Sequence, residues 1–198
     1  MGILDFFKWN KKTKTETIIS EKPSREQTLF ANNVLEIISP TVEKFGFKRH
    51  SVEIKKYSSK VVWRKENLYI KVQSTNYPTD FPFFYNVVLG EGNSDDFFEY
   101  EWNSIALWRL KNKINPKLKA KEYSFPIGDK VKVSISNANK EIIKYAESFL
   151  SGDLTLFFET RAEQNKDREP YKIYSPNNDG SYTVSYEAKS LRQKEKYS

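Results

Sequence analysis

Between residues 48 and 90, the strand-like stretches KRHSVEIKKY, SKVVWRK, NLYIKVQS and FPFFYNVVLG follow one another with only turn residues between them, such as Glu66-Asn67 and Thr75 to Asp80. This constrains the fold more than any other feature of the chain. A short connection can join antiparallel neighbours, whereas a parallel pair needs a crossover of about a dozen residues or more. The region is therefore predicted to form an antiparallel sheet.

The flanking segments read as helices. Ser24 followed by Gln27 is a capping-box pattern, in which each side chain can satisfy a free backbone N–H of the other residue. Leu29, Phe30, Val34, Ile37, Ile38, Val42 and Phe45 then recur at helical spacing and form one apolar stripe. Pro40 is expected to kink this helix because it lacks a backbone donor, and Gly46 is expected to close it. Beyond the sheet, the pattern predicts a helix from about Asp95 to Lys113, a strand at KVKVSIS, and a helix that places Ile142, Ile143, Ala146, Phe149 and Leu150 on one face. Ser151-Gly152 interrupts it before a short helix with Leu154, Phe157 and Phe158. YKIYSPNNDGSYTVSYE reads as a hairpin around Asn-Asp-Gly. The predicted class is α+β, an antiparallel sheet of about four to six strands with helices packed on one side. Leu, Ile, Val and Phe make up 51 of the 198 residues, above the roughly 20% below which a charged chain tends to stay disordered, so a core can form. The organisation expected is a short amphipathic segment over 1–9, a linker over 10–24, a globular domain over 25–163 and a polar extension over 164–198.

Within residues 30–90, the motifs EKFGFKRH, KVQS and FFYNVVLG resemble a family of small bacterial domains known only as a domain of unknown function. The resemblance implies a bacterial, cytoplasmic protein with no assigned reaction, and Gly46, Phe47, Gln73, Ser74, Asn86 and Gly90 would be its family positions. Gly46 and Gly90 also suit turn conformations, and Gln73 and Asn86 could bond sheet edges.

Several chemistries are excluded by residue type. With no cysteine, disulfides, thiolate metal sites and cysteine nucleophiles cannot be built. His50 is the only histidine, so one chain cannot supply a two-histidine metal site. It reads as an exposed strand residue. Asp95, Asp96 and Glu99 could hold a hard cation, but as first-turn acids they are explained by the helix dipole. GEGNSDD lacks the lysine and spacing of a phosphate loop, and no serine nucleophile elbow is present. No cofactor or metal is implied, and the chain reads as non-enzymatic.

Charge and aromatic content point to binding. The net charge is +7, and Arg109, Lys111, Lys113, Lys117, Lys119 and Lys121 lie in RLKNKINPKLKAK with no acid among them. As a solvated helix end, this tract would simply obey the dipole rule; as a ridge, it would contact phosphate and make nucleic acid a partner. Because Pro116 should stop the helix near Asn115, Lys117, Lys119 and Lys121 are expected to alternate along an extended segment and face one side. Tyr and Trp are favoured in protein interfaces, so the leading expectation is a protein-interaction module, for instance an immunity-type protein that masks a toxin. At the start of the chain, Ile3, Leu4, Phe6, Phe7 and Trp9 would cover rather more than half of a short helix. That helix would dock on the domain or touch an anionic membrane surface. Asp5 and Lys8 break any signal-peptide core, and no later stretch reaches the ~18 apolar residues of a membrane span. The expected compartment is the cytoplasm.

Overall fold

The computed structural model describes residues 16–19, 22–92, 102–169 and 172–186. The expectations for residues 1–9, including Ile3, Leu4, Phe6, Phe7 and Trp9, and for Asp95, Asp96 and Glu99, lie outside the described residues.

Helix α1 spans Arg25–Glu43, and Ser24 caps it by accepting a hydrogen bond from the Gln27 N–H. The predicted reciprocal bond is replaced, because the Gln27 side chain is fully buried and reaches into the sheet instead. The helix runs through Pro40, which sits on its exposed side, where water can serve the carbonyl that lost its donor. Gly46 closes the turn with φ +86°, donating its N–H to the Glu43 carbonyl at 2.9 Å. Phe47 then turns inward against Phe149.

The strands are β1 (Glu16–Ile19), β2 (Lys48–Ile54), β3 (Ser58–Lys65), β4 (Leu68–Thr75), β5 (Phe84–Glu91), β6 (Ser104–Ala106), β7 (Tyr123–Ser124), β8 (Lys172–Pro176) and β9 (Tyr182–Tyr186). The sheet order is β1-β2-β3-β4-β5-β6, with β7 also paired to β5. All its pairings are antiparallel except β1 with β2, so Glu16–Ile19, within the stretch read as a linker, form a parallel edge strand. Strands β8 and β9 form a separate hairpin around residues 177–181, as the Asn-Asp-Gly turn predicts.

The helices that follow β6 are α2 (Leu107–Ile114), α3 (Lys130–Ser151) and α4 (Thr155–Asn165). Two expectations change here. Ser104–Ala106, predicted as mid-helix, pair with Val88–Gly90 as a strand. KVKVSIS is the first part of α3 and not a strand. Its alternation is overridden because Val131, Ile135 and Ala138 extend the helical stripe of Ile142, Ala146 and Phe149, and Val133 is left 63% exposed. Ile143 lies off that stripe and is exposed. The predicted break at Ser151-Gly152 is present, with Gly152 in the left-handed conformation. Helix α4 continues to Asn165, past residue 163, where the globular domain was expected to end.

One main core joins the α1 and α3 stripes to Val61, Trp63, Ile70, Val72, Val87 and Leu89 on the inward-facing side of β3, β4 and β5. The fold is therefore α+β, with the described helices along one side of a mainly antiparallel sheet. On the opposite, outer face, Val62, Tyr69 and Val88 form a second buried cluster. Among the described residues, no helix is long and apolar enough to cross a membrane.

Candidate functional site

Side chains alternate across a sheet, so the inward positions Val61, Val72 and Val87 force Lys60, Gln73 and Asn86 onto the outer face. The register places these residues side by side: Glu53 opposes Lys60, Lys60 opposes Gln73, and Gln73 opposes Asn86. Glu122, just before β7, extends the row by accepting a hydrogen bond from Asn86 Nδ2 at 2.7 Å. This polar row floors a groove of about 480 Å³. A second hollow of about 390 Å³ shares Gln73, Asn86 and Glu122 and continues toward Trp108, Arg109 and Gln164.

The chain is basic, yet the larger groove is not. Glu53, Asp80 and Glu122 line it against the single cation Lys60. Glu53 is already engaged, with Lys55 at 2.6 Å and Lys60 at 3.7 Å. Asn86 Oδ1 and Thr75 Oγ1 are buried without a hydrogen-bond partner, an arrangement that costs about 1–3 kcal/mol for each such group.

A buried polar network holds the groove's end in place. Gln27 donates from Nε2 to Asn76 Oδ1 at 2.9 Å and accepts from Ser74 Oγ at 2.7 Å, and Ser74 Oγ lies 2.8 Å from Ser59 Oγ. It joins the first turn of α1 to β3, β4 and the start of the β4–β5 connection. Along that connection, Tyr77 packs on Tyr57 with ring centroids 5.3 Å apart, and Phe81 meets Phe83 edge-on at 5.5 Å. Phe81 is nonetheless 79% exposed, and its chain neighbours Asp80 and Pro82 line the groove.

Two cations of the basic tract are paired with acids. Lys111 is 9% exposed and donates to Glu141 Oε1 at 2.6 Å. The other oxygen of Glu141 accepts from the Tyr123 hydroxyl. Lys113 pairs with Glu163, and the Arg109 guanidinium lies 4.5 Å from the centre of the Trp108 ring. Lys117 falls in a 3-10 turn over Pro116–Leu118, and Lys119 adopts a left-handed conformation with φ 46°. Lys117, Lys119 and Lys121 thus do not alternate along an extended segment. Burial pushes the Tyr85 phenol up to about 12, against the opposing effect of its hydrogen bond with Ser134. Tyr123, stacked on Tyr85 at 4.8 Å, is raised by burial and then by the hydrogen bond it donates to Glu141.

His50 is exposed on β2. Among the described residues, no group of three or more His, Asp or Glu side chains is placed to hold a metal ion. Gly90 needs no turn: it lies within β5, where an added Cβ would sit 2.1 Å from Tyr69 Cζ. Gln73 and Asn86 were singled out from sequence, but Glu53, Lys60, Asp80, Phe81 and Glu122 were not. Alternation along β3, β4 and β5 is the signal that places Lys60, Gln73 and Asn86 on the face opposite the core. Comparison with protein-family models, curated proteins and solved structures finds no match for this chain.

Proposed function

We propose that this chain is a non-enzymatic protein-interaction module of the cytoplasm, and that it contacts its partner through the groove on the outer sheet face. An immunity-type role, in which the module masks a toxin, is one form of this reading. The observation that carries it is Phe81, a large aromatic side chain 79% exposed in the connection whose residues Asp80 and Pro82 line the groove. Aromatic anchors beside a recess held in shape by their own scaffold are the usual centres of binding energy. The nucleic-acid reading has less support, because Lys111 and Lys113 are paired with Glu141 and Glu163, leaving Arg109, Lys117, Lys119 and Lys121 to carry it.

The test is affinity purification from source cells with the full chain, Phe81→Ala, and Val133→Ala as an exposed control on α3. A partner held by wild type and Val133→Ala should be lost, or bind about 30-fold more weakly, with Phe81→Ala, as expected for an anchor worth about 2 kcal/mol. Undiminished binding by Phe81→Ala would sink the proposal.

A further inference from the structure

Resting on that interaction role, we infer that the second hollow, which continues from the groove, receives a carboxylate of the partner protein, an aspartate or glutamate side chain held by Arg109. Strand β6 pairs with β5 and feeds directly into α2, whose Leu107 and Leu110 are fully buried in the core. Anchoring those two positions turns Trp108 and Arg109 toward the surface, where both line the hollow of about 390 Å³. The Arg109 guanidinium lies over the Trp108 ring, 4.5 Å from its centre. A guanidinium placed over an aromatic face still presents a planar fork of N–H donors, and a carboxylate offers two oxygens that match it. Among the described residues, no hydrogen bond or ion pair takes up the donors of Arg109.

The charge of the hollow favours an anion. Arg168, whose guanidinium lies 4.5 Å from the centre of the Trp102 ring, lines it as a second cation, with Glu122 as the acid among the described residues. Glu122 accepts a hydrogen bond from Asn86 and forms no ion pair with Arg109. Partial burial lowers the pKa of Arg109 from its ordinary value, and a carboxylate alongside it would offset that loss of hydration. The neighbouring groove has the opposite sign, with Glu53, Asp80 and Glu122 against Lys60, so an anionic group on the partner is directed to the Arg109 end of this face. Trp and Arg are among the residue types enriched at binding hot spots. The chain's net charge of +7 also draws an acidic partner from a distance.

The experiment uses the full chain, isotopically labelled, with the Arg109 Nε–H and the Trp108 indole N–H followed by NMR at ~0.1 M salt. It is titrated with the capped peptides Ac-Leu-Glu-Leu-NH2 and Ac-Leu-Gln-Leu-NH2, and separately with inorganic phosphate. The glutamate peptide should shift both signals and bind at least about tenfold more tightly than the glutamine peptide, a difference of about 1.4 kcal/mol. Arg109→Gln, at an exposed position, should erase that preference while unfolding at the wild-type temperature. Equal binding of the two peptides, no shift at Arg109, or a preference that survives in Arg109→Gln overturns the inference. Tighter binding of inorganic phosphate than of the glutamate peptide also overturns it, and marks the hollow as a phosphate contact. The interaction role is judged separately. If a partner is lost with Phe81→Ala but bound undiminished by Arg109→Gln, the role stands and the carboxylate contact falls. If the peptide preference holds while Phe81→Ala keeps its partner, the hollow binds carboxylate and the role anchored at Phe81 falls.

Discussion

Adding one methyl group at Gly90 should destabilise the protein by about 2 kcal/mol, although alanine is normally the better strand residue. The added Cβ would lie 2.1 Å from Tyr69 Cζ, 2.4 Å from its hydroxyl oxygen and 2.6 Å from Cε1. Carbon atoms pack at about 3.5–4.0 Å, so the ring would have to move by about 1.4 Å or more. Tyr69 is fully buried in the outer-face cluster with Val62 and Val88, and the Arg64 guanidinium sits over it at 5.2 Å. With so little room, the overpacking penalty should fall near the top of its usual range of about 1–3 kcal/mol. Loss of chain entropy in the unfolded state returns about 0.4–1 kcal/mol, which leaves a net loss of about 2. For a chain of this length, that corresponds to a drop in Tm of about 4–8 °C. Urea denaturation followed by tryptophan fluorescence measures it. The decisive comparison is a double-mutant cycle: Tyr69→Ala alone should cost about 3–5 kcal/mol, and Gly90→Ala on that background should be neutral or slightly stabilising. Tyr69→Phe should give no relief, because Cζ remains. Additive effects, or a Gly90→Ala change within about 0.5 kcal/mol of wild type, would refute the close-approach argument.

Three further outcomes follow from the geometry. Because the Tyr85 phenol is raised from 10 to about 12 and Tyr123 is raised as well, the folded state keeps protons that the unfolded chain loses above pH ~10. Stability should therefore be intact below that pH and fall between about 10 and 12, by about 1.4 kcal/mol per pH unit for each tyrosine, with a shallower fall in Tyr85→Phe; denaturant midpoints across pH 9–12 check it. Arg161→Met should cost about 3–5 kcal/mol, because Arg161 and Glu91 face each other at 2.6 Å with side chains only 9% and 8% exposed, and adding Glu91→Gln should recover part of the loss in the same unfolding assay. Nucleic-acid binding, followed by fluorescence anisotropy, should be weak at ~0.15 M salt and should not change with Lys117→Gln/Lys119→Gln/Lys121→Gln; tight wild-type binding with a log-log salt slope near −3 would restore the tract as a phosphate contact.

What the sequence made legible follows from where its signals are local. Ser24 and Gly46 bound α1 because a cap and a left-handed turn are each decided within a few residues. The hairpins of β3, β4 and β5 were legible for the same reason, since their turns lie between the strands they join. KVKVSIS fails because three alternating apolar residues also fit a helical stripe, and only the continuation through Ile142, Ala146 and Phe149 decides between the two periods. Ser104–Ala106 fails for a different reason: its strand depends on an unpaired edge of β5, and no pattern within those three residues announces it. The same distinction explains the site. Lys60, Gln73 and Asn86 were visible as polar positions in apolar strands, but their adjacency depends on register, and the end of the row depends on Glu122 returning from beyond α2. The basic tract is the converse. Six cations close together in sequence look like one surface, yet the fold turns Lys111 inward to Glu141 and Lys113 toward Glu163. Proximity along the chain overstated that surface, and separation along it hid a groove lined by Glu53, Asp80 and Glu122 against Lys60 in a chain of opposite net charge.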